Sequence, residues 1–172
     1  MPIVPADWMP ACQMRFIVAH WTAGAHKASD LDREHYHIMI ESDGKLVRGD
    51  HTIDDNVSTG DDDYAAHTRK FNTGAIGISA CAMADASEKP FNAGSFPMTE
   101  VQWKVMAQVA AELAKFYNIP VTRERILAHG EVEQVHHVDQ HGKWDPLKLP
   151  WNPNLTMAQV GDLFRQEVAK SM

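Results

Sequence analysis

Histidines and carboxylates at three separated points of the chain could do chemistry. His20 ends an apolar run, Ile17-Val18-Ala19-His20, and enters the loop Trp21-Thr22-Ala23-Gly24. A strand end feeding a loop is where a rigid scaffold presents ligands. His129 stands alike at the end of Ile126-Leu127-Ala128-His129, before Gly130. The third point is His141-Gly142-Lys143-Trp144-Asp145-Pro146. Proline pushes the residue before it into an extended conformation. Residues two apart in an extended segment project to one side, so Lys143 and Asp145 can face one cavity. Taken singly, each histidine reads as a satisfied structural residue and the Lys143/Asp145 pair as a surface ion pair. Ten histidines in acidic company, spread along one chain, make a metal site the sharper reading.

The elements that must position these residues follow from pattern. Residues 14–22 form a short apolar run and read as a buried strand. Residues 36–41 read as a second strand, turning at Asp43-Gly44 into a hairpin with the Leu46-Val47-Arg48 segment. Residues 74–83 are apolar and bounded by turn residues, so they read as a central strand in which Cys81 is a small core residue. Two helices open on capping boxes, Thr99-Glu100-Val101-Gln102 and Thr156-Met157-Ala158-Gln159. Met106, Val109, Ala110, Leu113 and Tyr117 share one face of the first. Val160, Leu163, Phe164 and Val168 form the stripe of the second. Residues 124–129 are a short strand or the entry to a loop, and the aspartate-rich stretch 50–73 is loop with one helical turn. Strands early and helices late indicate an α/β or α+β sheet with helices on its faces.

Totals narrow the class. A chain of 172 residues fits one domain over 1–172 and buries roughly 70% of its unfolded surface. Its net charge of −7 argues against a nucleic-acid partner. It also means that an anionic substrate must be gripped by local contacts rather than long-range steering. No apolar stretch is long enough to span a membrane. The N-terminus lacks the basic start and apolar run of a secretory signal, so Cys12 and Cys81 are expected to be reduced.

Five segments occur in order: His20-Trp21-Thr22-Ala23, Tyr36-His37-Ile38-Met39-Ile40 before its Asp-Gly turn, Ile76-Gly77-Ile78 after an asparagine loop, Ala128-His129-Gly130-Glu131-Val132, and Lys143-Trp144-Asp145-Pro146. Together they resemble the zinc-dependent N-acetylmuramoyl-L-alanine amidases over about residues 14–170. That family includes phage lysozyme-type endolysins and is homologous to animal peptidoglycan recognition proteins. The His-Glu-x-x-His motif of metalloproteases is absent.

The resemblance implies a mixed central β-sheet flanked by helices, with Zn²⁺ in a cleft held by His20, His129 and Asp145. Two histidines and one carboxylate leave a fourth position open, as catalytic zinc requires. It also implies that Tyr36 and Lys143 assist catalysis. Some relatives carry a glutamate instead of the tyrosine; here the matching strand position is Ser79. His67 matches a groove-lining position, Trp21 and Thr22 belong to the same substrate-binding set, and Asn72 joins them while ordering the loop before the central strand. The implied reaction is hydrolysis of the amide between N-acetylmuramic acid and L-alanine in peptidoglycan. The expected agent is a monomeric phage or prophage endolysin, made in the cytoplasm without a signal peptide and acting on the wall after release. A cytoplasmic recycling amidase and a non-catalytic peptidoglycan-binding protein are the alternatives. Fifteen residues separate His129 from Asp145; His136, His137 and His141 among them read as loop histidines, because the triad is complete without them. Glu131 and Glu133 are candidates to accept a hydrogen bond from His129.

Overall fold

A computed structural model describes residues 1–172. Its strands are β1 (Phe16–Trp21), β2 (Ile38–Ile40), β3 (Leu46–Arg48), β4 (Ala75–Ala80) and β5 (Ile126–Ala128). They form one mixed sheet in the order β3-β2-β4-β1-β5. Only β3 runs antiparallel, closing the anticipated hairpin with β2, while β2, β4, β1 and β5 are mutually parallel neighbours.

Successive strand residues point to opposite faces, and here the two faces have different tasks. Ile17, Ala19 and Trp21 of β1, Ile76, Ile78 and Ala80 of β4, and Ile38 and Ile40 of β2 enter the main apolar cluster. Helix α2 (Glu100–Tyr117) and helix α4 (Met157–Lys170) supply much of the rest of that cluster. The other face carries Val18 and His20 of β1, Gly77 and Ser79 of β4, Met39 of β2 and Leu127 of β5. Val18, Leu127 and Ala75 build a smaller cluster there with Val132. Both faces are covered, so the strands read as near-continuous apolar runs rather than as alternation.

Both anticipated capping boxes form. Thr99 Oγ1 accepts from Gln102 N at 3.1 Å and Thr156 Oγ1 from Gln159 N at 3.1 Å. All five residues expected on the inner face of α2 are buried. In α4, Val160, Phe164 and Val168 are buried and Leu163 packs against the cluster. Ile53–Val57 supplies the one helical turn in the aspartate-rich stretch.

Two helices depart from the sequence reading. Helix α1 (Asp30–His35) is capped by Ser29 with aspartate, Asp32, at the third position. Helix α3 (His129–His136) starts immediately after β5, with Glu131 accepting the N–H of Ala128 at 2.9 Å. His136 therefore closes a helix rather than lying in a loop. Its Nε2 meets the carbonyl of Glu124 at 2.8 Å and its ring packs on Phe71.

Candidate active site

Parallel register brings the first two histidines together. Ala19 of β1 stands opposite Ala128 of β5, so the next residues, His20 and His129, leave adjacent strands at one level. In open α/β sheets this edge, beyond the carboxyl ends of parallel strands, is where ligands bind. The segment from Lys143 to Leu147 packs over the first turn of α3 and carries Asp145 to the same point.

There the three side chains converge. His20 Nδ1 and His129 Nδ1 are 3.1 Å apart. Asp145 Oδ2 lies 3.3 Å from His20 Nδ1, and Oδ1 lies 3.4 Å from His129 Nδ1. Tetrahedral zinc with ligands at about 2.0–2.1 Å has ligand atoms about 3.3 Å from one another. Each spacing, taken to the carboxylate oxygen nearer that histidine, is close to this value, and the donor set of two imidazole nitrogens and a carboxylate suits a borderline-soft divalent ion. All three residues are buried, and they are one of two groups in the chain with metal-compatible donor spacing.

Electrostatics favour the ligating forms. Burial pulls His20 down to about 4, so its imidazole is neutral at physiological pH. Burial alone would raise the Asp145 carboxyl, but the imidazoles of His129 and His20 beside it more than offset that and hold the group well below the usual carboxylate range.

The far nitrogens of the two histidines are also engaged. His129 Nε2 meets Gln140 Oε1 at 2.8 Å. Neither glutamate expected to partner His129 does so. Glu131 is taken by Arg165 and the Ala128 N–H. Glu133 accepts from Gln140 N at 2.8 Å, one step further out. Gln140 was missed from sequence because a glutamine in a polar loop carries no pattern. His20 Nε2 faces His67 Nδ1 at 3.2 Å.

A cleft of about 640 Å³ opens over this point, with Trp21, Tyr36, His67, His129, Lys143 and Asp145 in its lining. Its lining includes Arg69, Lys70 and Lys143, so it is locally cationic although the chain is net acidic. Trp21 packs edge-on against Trp144 at 4.8 Å between ring centroids. Thr22 and Asn72 also line the cleft, but their oxygens serve the backbone. Thr22 Oγ1 accepts from Gly24 N at 3.1 Å. Asn72 Oδ1 accepts from His67 N at 3.0 Å and Thr68 N at 2.9 Å, ordering the loop before β4.

The Tyr36 ring centroid lies 5.2 Å from that of His20. Burial, reinforced by the Asp145 carboxylate, raises its phenol above the ordinary value, so it bears its proton at neutral pH. Ser79, opposite His20 in the β1/β4 register, lies beside Tyr36, and its buried hydroxyl has no hydrogen-bond partner.

Mixed sheet, cleft and convergent histidines and aspartate define a domain of α/β class with a site able to hold a metal ion. Over residues 10–148 the sequence matches the family described as N-acetylmuramoyl-L-alanine amidase, and the chain belongs to that family of peptidoglycan-cleaving enzymes. Solved structures show the same fold. The Ph2119 endolysin from a Thermus scotoductus bacteriophage matches at 16% identity and TM-score 0.52, covering 93% of this chain and 88% of its own. Staphylococcus aureus hydrolase AmiA matches at 14% identity and TM-score 0.58, with coverage of 91% and 73%. Escherichia coli amidase AmiD, solved with an anhydro-muropeptide substrate, matches at 18% identity and TM-score 0.53, with coverage of 86% and 57%. No curated protein matches the sequence.

Proposed function

We propose that this amidase is zinc-dependent and that it hydrolyses the bond between the lactyl carbonyl of N-acetylmuramic acid and the L-alanine nitrogen, in the lysis of bacterial cell wall by a phage or prophage. The carrying observation is the triangle of His20 Nδ1, His129 Nδ1 and Asp145 at 3.1–3.4 Å. These residues would hold the ion. When bound, zinc supplies Lewis acidity and lowers the pKa of a coordinated water from 15.7 toward about 7.

The remaining work falls to the chain's own side chains. The Lys143 ammonium, in the cleft wall two residues from Asp145, stabilises negative charge developing on the attacked carbonyl oxygen. Tyr36 carries a proton and stands beside His20. It can orient water by donating a hydrogen bond or pass its proton toward the leaving amine. Trp21 and Trp144 give the cleft an apolar wall against which a muropeptide can lie. All these residues come from one chain, so the proposed site needs no residue from a second copy. The lysis role is supported by likeness in fold to an endolysin. No helix of the chain is long and apolar enough to cross a membrane.

The test is digestion of purified wall followed by mass spectrometry, with protein that is native, chelator-treated or reloaded with zinc. Stem peptides beginning with free L-alanine are expected, lost on chelation and recovered with zinc. Full-speed digestion by chelated protein would overturn metal dependence, and reducing sugar ends would overturn the assigned bond. Faster turnover of soluble anhydro-muropeptides than of intact wall would move the role from lysis to recycling.

A further inference from the structure

The two ligand histidines are held from behind by partners of different kinds. For His129 the partner is an amide whose orientation is set. Gln140 Nε2 donates to the carbonyl of Arg69 at 2.8 Å, so Oε1 faces His129 Nε2 as a pure acceptor. His129 therefore carries its hydrogen on Nε2 and turns the lone pair of Nδ1 toward Asp145.

His20 has no carbonyl or carboxylate behind it. Its Nε2 is 3.2 Å from His67 Nδ1 and 3.4 Å from Thr68 Oγ1. A neutral imidazole is an ambiguous neighbour, with one donor and one acceptor nitrogen. The ambiguity is resolved one step further away. His67 Nε2 lies 3.1 Å from the carbonyl oxygen of Ala75, which can only accept. The hydrogen of His67 is thus on Nε2 and its Nδ1 is an acceptor. Thr68 Oγ1, 2.7 Å from His67 Nδ1, preserves the same polarity if it stands between the two rings. By either route His20 must donate from Nε2, which leaves Nδ1 bare.

We propose that His67 is a positioning residue for the metal centre: it relays the polarity of the Ala75 carbonyl to His20, so that both ligand histidines present Nδ1 lone pairs to one point. This rests on the zinc reading above. It also changes the part given to His67. Its ring lines the cleft, but only 7% of the residue is exposed and both nitrogens are committed inside the protein. It has no free polar atom for substrate.

The strand sequence is built around this ring. A Cβ at Gly77 would stand 2.4 Å from His67 Cγ and 2.5 Å from Cδ2. Only glycine lets the imidazole lie flat on β4 and reach both Ala75 and His20. The Ile-Gly-Ile pattern of β4 thereby acquires a physical reason.

The test compares zinc dissociation constants, by competition with a chelator, for wild type, His67→Phe and His67→Asn. Phenylalanine keeps the ring volume without an acceptor; asparagine puts an amide oxygen where Nδ1 was and leaves a void. A relay predicts that the Phe variant binds zinc roughly 10–100-fold more weakly and that the Asn variant recovers much of the loss. A residue serving only to pack predicts the reverse order and overturns the proposal. Long-range ¹H–¹⁵N spectra of the metal-free wild type give a reading independent of any variant. Nε2-protonated His67 and His20 support the relay, and a hydrogen on His67 Nδ1 overturns it. Wild type that binds no zinc sinks the zinc reading itself. Wild type that binds zinc no better than His67→Phe sinks only the relay.

Discussion

The backbone N–H of Gly130 donates to the carbonyl oxygen of Asp145 over 2.9 Å. The first N–H groups of a helix have no partner within it, and here the chain segment bearing Asp145 takes one of them. One peptide hydrogen bond thus docks the third side chain of the triad onto the helix that begins with the second. The carboxylate is delivered beside the positive end of α3, where negative charge is favoured. With the β1/β5 register setting His20 against His129, the triad is built from two backbone relationships before any side chain adjusts.

Gly130→Ala tests the first of these. A Cβ there would stand 2.7 Å from Leu147 Cδ1, 3.1 Å from Trp144 Cα and 3.2 Å from the Lys143 oxygen. Alanine gains about 1 kcal/mol in helix propensity, whereas overpacking costs about 1–3 kcal/mol. The expected net change in urea stability is therefore small. Zinc affinity should fall far more, because the backbone carrying Asp145 must retreat. Unchanged affinity in a chelator competition would show that this docking does not set the carboxylate.

How much of this was legible in sequence depended on the kind of signal. Helices α2 and α4 announce themselves through Thr-x-x-Gln caps followed by apolar stripes. Helix α1 has neither cue in full: its box ends in Asp32, and its Leu31 faces solvent. Helix α3 hides because its N-cap is Ala128 and the cap is supplied by Glu131 three residues later. The triad itself was placed by family resemblance. The spacing of 109 residues between His20 and His129 says nothing, since strand register, invisible in the chain, brings them together. Gln140 and the orientation of His67 depend on the tertiary course of two loops, for which no local pattern exists.

Lys143→Ala should leave zinc content unchanged and lower turnover by about 10²–10³, the loss typical of removing one preorganised stabiliser of an oxyanion. Lys143 is exposed at the cleft wall and makes no ligand contact, so stability should hardly move. Metal analysis beside wall-turbidity kinetics separates the two effects. Normal turnover would remove Lys143 from the mechanism.

Tyr36→Phe removes the phenolic oxygen and keeps the ring that packs beside His20. Binding to insoluble wall should persist while the rate falls by about 10²–10⁴, the range for a positioned proton donor. A cosedimentation assay reports the first and release of dyed wall the second. Parallel loss of both would mean that the hydroxyl binds substrate instead.

Arg165 supports the site from behind α3. It pairs with both oxygens of Glu131 at 2.9 Å, and its Nη1 also reaches the Ile126 carbonyl at 3.2 Å. Glu131 is nearly inaccessible and holds the Ala128 N–H just before His129. Arg165→Met should cost up to about 3–5 kcal/mol, because it leaves the buried carboxylate with only the 3.8 Å approach of Arg123 Nε. Adding Glu131→Gln, which removes the stranded charge but keeps an acceptor for Ala128, should recover part of that loss. Urea unfolding of the single and double variants measures both. A double variant no more stable than the single one would show that the charge is not the cause.

His37 gives the fold a built-in sensitivity to acid. Its Nδ1 accepts from Gly77 N at 3.1 Å and its Nε2 donates to Asn56 Oδ1 at 3.0 Å, in full burial. Burial lowers its pKa from 6.5 to about 4. Between those values the unfolded chain binds a proton that the native state refuses. Stability therefore falls as pH drops from about 6.5 to about 4, and this group has no effect above that window. The shift corresponds to about 3 kcal/mol. Urea midpoints of metal-free protein at pH 7.5, 6 and 5 should decline more steeply for wild type than for His37→Gln, which keeps an acceptor and a donor but cannot titrate. Metal-free protein is the right sample, because His20 titrates in the same direction and would otherwise add loss of metal to the slope. Equal slopes in the two proteins would assign the acid sensitivity to His20 or another group and not to His37.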